Sequence, residues 1–141
     1  MAVANGNPSR FGDYSQIKDC ERYEWGKLAS EDARFDGIPW IEGEYFNSGV
    51  VLAKRCFHER MFGLALDVVQ TDHGLGWNQQ TPFCMAAKKL GVPVRLVDER
   101  WNFIHPLCLG PEWYKHAYIA HMAGEPGRET VLPSLRWRDA A

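Results

Sequence analysis

The sequence predicts an α/β fold in which helices flank a mixed sheet, and three observations support it. An apolar run at residues 50–53 has the composition of a strand. The segments at 56–69 and 77–90 carry apolar side chains at helical spacing. Gly91 follows the second segment, and a further apolar run begins directly after it. The order helix, glycine, strand is typical of α/β proteins.

The length of 141 residues predicts a single domain over 1–141. Within it we expect a core at residues 41–124, a peripheral segment at 1–40 and a tail at 125–141. The net charge of −2 provides no basic surface, so nucleic acid is not an expected partner.

The composition also bears on localisation. No apolar run approaches the ~18 residues that span a bilayer, and the first residues lack the pattern of a secretory signal. The four cysteines show no metal-ligand spacing. We therefore expect a reduced, cytoplasmic protein without a membrane span.

The first forty residues contain one predicted helix. Residues 1–12 are rich in Asn, Gly and Pro and predict a loop. Residues 15–29 carry a helical stripe of apolar side chains, with Ser15 in the N-cap position. Residues 30–40 predict a loop that leads towards the first strand.

The strand at residues 50–53 is predicted to be buried and to organise the fold. It is entered through the polar turn Asn47, Ser48 and Gly49. Small polar groups at a strand end are a common feature of ligand sites in α/β proteins. The sequence therefore places the centre of a candidate site at this turn.

The remaining elements follow in α/β order. The apolar run at 92–97 predicts a strand, residues 98–113 a long irregular connection, and residues 118–120 a short strand that ends at His121. Several polar side chains fall at element ends and suit sugar hydroxyls, although such residues also cap helices and close turns. They are Asn47, Ser48, Asn78, Gln79, Gln80, Asn102 and His121. The six tryptophans suit stacking on sugar rings or, alternatively, core packing.

Taken in order, these motifs resemble the acceptor-side, C-terminal half of GT-A-fold glycosyltransferases, the nucleotide-sugar enzymes that include glycogenin and the family 8 galactosyltransferases. The residues Phe46-Asn47-Ser48-Gly49-Val50 match a family strand without a gap. Trp101-Asn102-Phe103 resembles the aromatic-Asn element that follows the next family strand, and the segment at 118–124 resembles the family's His-x-x-Gly segment.

The resemblance implies roles for these residues. Asn47, Ser48 and Gly49 would lie beside the donor sugar, and Asn102 would line the acceptor cleft. Gln79 and Gln80 would occupy the catalytic positions, where Gln79 replaces the usual acidic residue. A neutral amide binds a hydroxyl but cannot act as a base.

The resemblance also implies a metal and a diphosphate site. His121 would be a ligand of Mn²⁺ or Mg²⁺, Gly124 would approach the diphosphate, and Arg128 would supply a cation to its oxygens. A histidine with a structural role at a strand end is the alternative for His121.

The chain departs from the family because its sequence contains no Asp-x-Asp metal motif. We therefore expect a glycosyltransferase-like protein, a hexosyltransferase if complete, that needs an N-terminal nucleotide-binding half. The alternative is a non-catalytic module that binds carbohydrate or a partner protein, including a second copy, through an open sheet edge.

Overall fold

The computed structural model describes residues 2–5, 14–71, 73–75, 80–105 and 118–122. The chain divides into two compact units, Met1–Val97 and Asp98–Ala141. The sequence predicts a single domain with a core that continues to residue 124, whereas the compact unit that holds the first sheet ends at Val97. Both helices and strands are present, so the prediction of a mixed α/β chain is confirmed.

The first unit contains three strands and three helices among the described residues. In chain order they are β1 (Ala2–Asn5), α1 (Tyr14–Glu31), β2 (Asn47–Ala53), α2 (Arg55–Val69), α3 (Gln80–Lys89) and β3 (Val94–Leu96). The described helices include none that is long and apolar enough to cross a membrane.

Strand β1 lies in the middle of the sheet, whose order is β2-β1-β3. It pairs antiparallel with β2, where Val3 faces Leu52, and parallel with β3, where Val3 faces Arg95. The prediction of a loop over residues 1–12 is therefore wrong for β1. The Asn, Gly and Pro residues that predict the loop lie mostly after the strand, and the four residues of β1 are too short a run to stand out.

The prediction that residues 50–53 form a buried strand around which the fold is organised is also wrong. Strand β2 lies at the edge of the described sheet, and Leu52 is 71% exposed. A short apolar run predicts a strand, but it does not show whether the strand pairs with a neighbour on one side or on both. The strand itself is predicted correctly, and it extends back to include the turn residues from Asn47.

The helices agree with their apolar patterns to within a few residues. Helix α1 begins at Tyr14, so Ser15 lies inside it and the predicted N-cap is wrong. At the end of α3, Gly91 has a φ of +60°. Its N–H donates to the carbonyl of Lys88 (3.0 Å), and the N–H of Val92 donates to Ala87 (2.9 Å). This left-handed termination confirms Gly91 as the helix stop.

The core of the first unit is formed mainly by the inner faces of the three helices. Its largest fully buried side chains include Trp25 of α1, Phe35 and Phe46 of the segment between α1 and β2, Met61 of α2 and Met85 of α3. Burial of such side chains supplies most of the driving force for folding. Trp25 is a core residue rather than a sugar-stacking one, and its indole N–H donates to the carbonyl of Ile38 (3.0 Å).

Among its described residues, the second unit contains a short 3-10 helix (Glu99–Asn102) and two strands, β4 (Phe103–His105) and β5 (Ala120–Met122). The strands pair in parallel, with Ile104 facing His121. The predicted irregular connection over 98–113 is therefore wrong at its start, where the 3-10 helix and β4 form. The pairing is non-local and leaves no local pattern in the sequence.

Candidate functional site

The structure describes six of the nine predicted site residues. Asn47, Ser48 and Gly49 begin β2, and Gln80 is the first residue of α3. In the second unit, Asn102 ends the 3-10 helix and is buried, and His121 lies in β5. Gln79, Gly124 and Arg128 lie outside the described residues, so their predicted roles stay predictions.

The turn at the start of β2 lies against the start of α3. The backbone N–H of Ser48 donates to Oε1 of Gln80 at 3.3 Å, although the two residues are 32 positions apart. Within the turn, the N–H of Gly49 donates to Oδ1 of Asn47 at 2.8 Å. This second bond closes an Asx-type turn, which holds the backbone of the first residues of β2 in place. The structure thus brings Asn47, Ser48, Gly49 and Gln80 together.

Gln80 also interacts with the hydroxyl of Tyr45. Burial raises the pKa of Tyr45 well above its ordinary value, so this hydroxyl keeps its proton throughout the physiological range. The amide group of Gln80 therefore connects the turn to a protonated, half-buried tyrosine.

A chain of hydroxyl groups runs from Tyr45 into the interior. The hydroxyl of Tyr45 lies 2.8 Å from Oγ1 of Thr81, and Oγ1 of Thr81 lies 2.6 Å from Oε2 of Glu24. A threonine hydroxyl has one proton, and the carboxylate can only accept, so Thr81 donates to Glu24 and Tyr45 donates to Thr81. Thr81 and Glu24 are both buried.

Glu21 lies on the same face of α1 as Glu24, one helical turn earlier, and is only 6% exposed. Burial, together with the charge of Glu24, raises the pKa of Glu21 from 4.5 to about 7. A carboxyl group with a pKa in this range titrates near neutral pH. We call Glu21, Glu24, Tyr45 and Thr81 the buried polar cluster.

Sequence reasoning missed the buried polar cluster. Glutamates on an amphipathic helix are ordinarily solvated, and α1 carries several charged residues. The spacing of Glu21 and Glu24 indicates a shared face but does not reveal whether that face points inwards. Only the packing of α1 against α3 does so.

A groove of about 560 Å³ lies beside the turn. Ser48 and Gly49 line it together with apolar side chains of β2, α2 and α3. Its wall includes Phe62 and Phe83, whose rings meet edge to face with centroids 4.5 Å apart. The volume is typical of small-molecule sites, and the combination of polar backbone and aromatic wall suits a ligand with both polar and apolar surface.

A second group of charged residues joins the end of α1 to the end of α2. Arg34 binds both carboxylate oxygens of Asp32, with Nε to Oδ1 at 2.8 Å and Nη2 to Oδ2 at 2.6 Å. These hydrogen bonds lower the pKa of Asp32 from 3.8 to about 2. Nε2 of His73 lies 3.1 Å from Oδ2 of Asp32 but is not aligned for a hydrogen bond. The geometry is that of a structural ion pair.

The described residues contain no group of three or more His, Cys, Asp or Glu side chains arranged to hold a metal ion. His121 as a single ligand does not make a site for Mn²⁺ or Mg²⁺, because these ions take several oxygen ligands. The metal therefore stays a prediction of the family resemblance.

Comparison with known proteins adds no evidence about function, so the functional argument depends on the geometry of the site. No family model, no curated protein and no solved structure matches the chain.

Proposed function

We propose that this chain is a glycosyltransferase-like protein whose first unit binds the sugar of a nucleotide-diphosphate sugar. The bond from the N–H of Ser48 to Gln80 carries the proposal. The resemblance, which uses only the order of motifs in the sequence, assigns the start of β2 and the start of α3 to the same sugar. This bond joins those two segments in space.

The chemistry of the site supports a sugar ligand. A hexose presents hydroxyl groups around its edge and C–H groups on its faces. Amide groups of Asn47 and Gln80 and the hydroxyl of Ser48 are suited to the hydroxyls. The aromatic wall formed by Phe62 and Phe83 is suited to the C–H faces.

The resemblance supplies the remaining roles in the proposal. Gln79 would sit beside Gln80 at the reacting carbon, Asn102 would line the acceptor cleft, and Gly124 and Arg128 would bind the diphosphate. Transfer also needs an acidic metal motif and a nucleotide-binding half, and we propose that another polypeptide segment provides them. His121 would then complete the metal site.

The test is thermal unfolding of the chain with UDP-, ADP- and GDP-hexoses and with free hexoses, each with and without Mn²⁺. A ligand at 100 times its Kd stabilises the folded state by about 2.7 kcal/mol. We expect a nucleotide sugar to raise the melting temperature of the wild type, and Gln80→Ala to abolish the shift. Gln70→Ala is the matched control, because Gln70 is exposed beyond the end of α2.

Equal shifts in the Gln80 and Gln70 variants would contradict the proposed site. A wild-type melt that no nucleotide sugar or hexose moves would contradict the proposed function. His121→Ala adds a separate test, because we expect it to remove only the Mn²⁺-dependent part of the shift.

A second candidate function is a non-catalytic module that binds carbohydrate or protein. The observation in its favour is the edge position of β2, which pairs only with β1 in the described sheet and exposes Leu52. An open strand edge is a template for pairing with another chain. A shift with free hexose but none with any nucleotide sugar would favour this function over transfer.

A further inference from the structure

Two aromatic side chains of the second unit lie together on its surface. Trp101 is 48% exposed and Tyr118 is 59% exposed. Their ring centroids are 4.9 Å apart, and the ring planes are inclined at 50°. Large exposed aromatic side chains that lie together are a common feature of binding surfaces, which makes this pair a candidate site.

Backbone hydrogen bonds hold the two rings in position. The carbonyl of Arg100 accepts from the N–H of Tyr118 at 2.7 Å and from the N–H of Ile119 at 3.1 Å. The parallel pairing of β4 with β5 continues directly from these bonds. Because both chain segments are tied together beside the rings, the arrangement is formed before any ligand arrives.

Charged groups lie against the rings, and the guanidinium of Arg100 lies over the face of the Tyr118 ring. The guanidinium carbon of Arg100 lies 5.0 Å from the centre of the Tyr118 ring. Asp98 holds that guanidinium, with Oδ1 at 2.9 Å from Nε and Oδ2 at 3.1 Å from Nη2. The hydrogen bonds from Arg100 lower the pKa of Asp98, so the carboxylate is ionised at neutral pH. An exposed ion pair of this kind adds little to the stability of the fold. Its role in the proposed site is to hold the guanidinium of Arg100 in position.

This combination suits a neutral saccharide. Sugar rings stack their C–H faces on aromatic rings, and their hydroxyls both donate to carboxylates and accept from guanidinium groups. A polyanion is disfavoured, since Asp98 neutralises Arg100 and the chain carries a net charge of −2.

We infer that Trp101, Tyr118, Arg100 and Asp98 form a stacking platform for a neutral oligosaccharide. We call it the aromatic platform. The inference that this oligosaccharide is the acceptor rests on the proposed function, in which Asn102 lines the acceptor cleft. As a binding site it stands on its own geometry.

The test is titration of the whole chain with neutral hexasaccharides, namely maltohexaose, cellohexaose, mannohexaose and N-acetylchitohexaose. Binding is followed by tryptophan fluorescence and by calorimetry. We expect saturable binding of at least one hexasaccharide, and we expect Trp101→Ala and Tyr118→Ala each to weaken it by about tenfold or more. Tyr118→Phe keeps the ring and should bind like the wild type.

Tyr23→Ala is the matched control, because Tyr23 is an exposed aromatic residue (69%) on α1. Each variant is first shown to melt cooperatively, so that a loss of binding is not a loss of folding. A wild type that binds none of the hexasaccharides, or a Trp101→Ala variant with unchanged affinity, would overturn the inference.

The two proposals fail separately. Loss of hexasaccharide binding in Trp101→Ala with a retained nucleotide-sugar shift would show that the aromatic platform acts independently of the site at Gln80. Hexasaccharide binding without any nucleotide-sugar shift would keep the aromatic platform and remove the proposed donor site.

Discussion

Helix α1 leads from one buried acidic region to another, and the two regions behave in opposite ways. Glu21 is 6% exposed and Asp32 is 7% exposed, so burial is nearly the same. Yet the pKa of Glu21 is raised to about 7, whereas that of Asp32 is lowered to about 2. At Glu21 burial raises the pKa, and the charge of Glu24 raises it further. At Asp32 the hydrogen bonds from Arg34 outweigh burial. Burial alone favours the protonated acid, and a bound guanidinium more than reverses that preference.

This comparison has a consequence for pH dependence. The folded-state pKa of Asp32 is depressed, so its stabilisation is present above pH 3.8 and is lost as the pH falls through about 2. The folded-state pKa of Glu21 is raised, so its contribution is fully favourable below pH 4.5 and is lost as the pH rises through about 7. From these two groups alone, stability is greatest near pH 4.

The largest expected effect comes from removal of the cation. Arg34→Met leaves the carboxylate of Asp32 buried beside His73 without its guanidinium partner, and we expect the free energy of unfolding at pH 7 to fall by about 3 kcal/mol. The loss should shrink as Asp32 is protonated, so that variant and wild type converge near pH 2. Urea unfolding across pH 2 to 7 measures this. Arg60→Met, at an exposed position of α2, should change stability by less than about 0.5 kcal/mol. A loss independent of pH would contradict the assignment to Asp32.

A smaller effect is expected when Glu21 is made permanently neutral. Glu21→Gln removes the cost of a buried charge, so the variant should be more stable than the wild type by about 2 kcal/mol at pH 8 and equal to it at pH 4. The measurement is again urea unfolding as a function of pH. Glu31→Gln, at the exposed end of the same helix, is the control and should show no such trend. Destabilisation of Glu21→Gln at pH 8 would contradict this prediction. It would mean that an interaction of the ionised carboxylate stabilises the fold by more than burial of its charge costs.

The smallest expected effect separates hydrogen bonding from charge in the buried polar cluster. Thr81→Val removes the donor to Glu24 and the acceptor for Tyr45, so we expect a loss of about 1 to 2 kcal/mol at pH 7. Tyr45→Phe removes the bond of this hydroxyl to Thr81 and its interaction with Gln80, and should cost about 1 kcal/mol. Thermal unfolding of both variants compares them. If Tyr45→Phe were the more destabilising change, the bond from Thr81 to Glu24 would not be the main contribution of the cluster to stability.

The sequence predicted the local features of this fold better than the non-local ones. Helix α2 was predicted at 56–69 and is found at Arg55–Val69, because a dense apolar stripe bounded by turn residues reports on local structure. Strand β1 was missed because its central position depends on partners far along the chain, including β3. The sequence also placed β2 in the interior, since an apolar run does not reveal how many neighbours a strand has.

The candidate site divides in the same way. The small polar residues at the start of β2 and Gln80 could be singled out from the sequence as polar residues at element ends, and the resemblance assigned them to one sugar. The contact between Ser48 and Gln80 could not be read from spacing, because it crosses 32 residues. Glu21 and Glu24 were missed entirely. An inward-facing carboxylate has the same local pattern as a solvated one until the opposite helix is in place.

The position of β1 also affects synthesis on the ribosome. Its antiparallel partner β2 follows about 50 residues later, but its parallel partner Val94–Leu96 follows about 90 residues later. At roughly 5 to 20 residues per second, one edge of β1 waits about 5 to 20 s for β3 to be made. The nascent chain therefore carries an unpaired strand edge for seconds, and such an edge is open to pairing with other chains until β3 has been made.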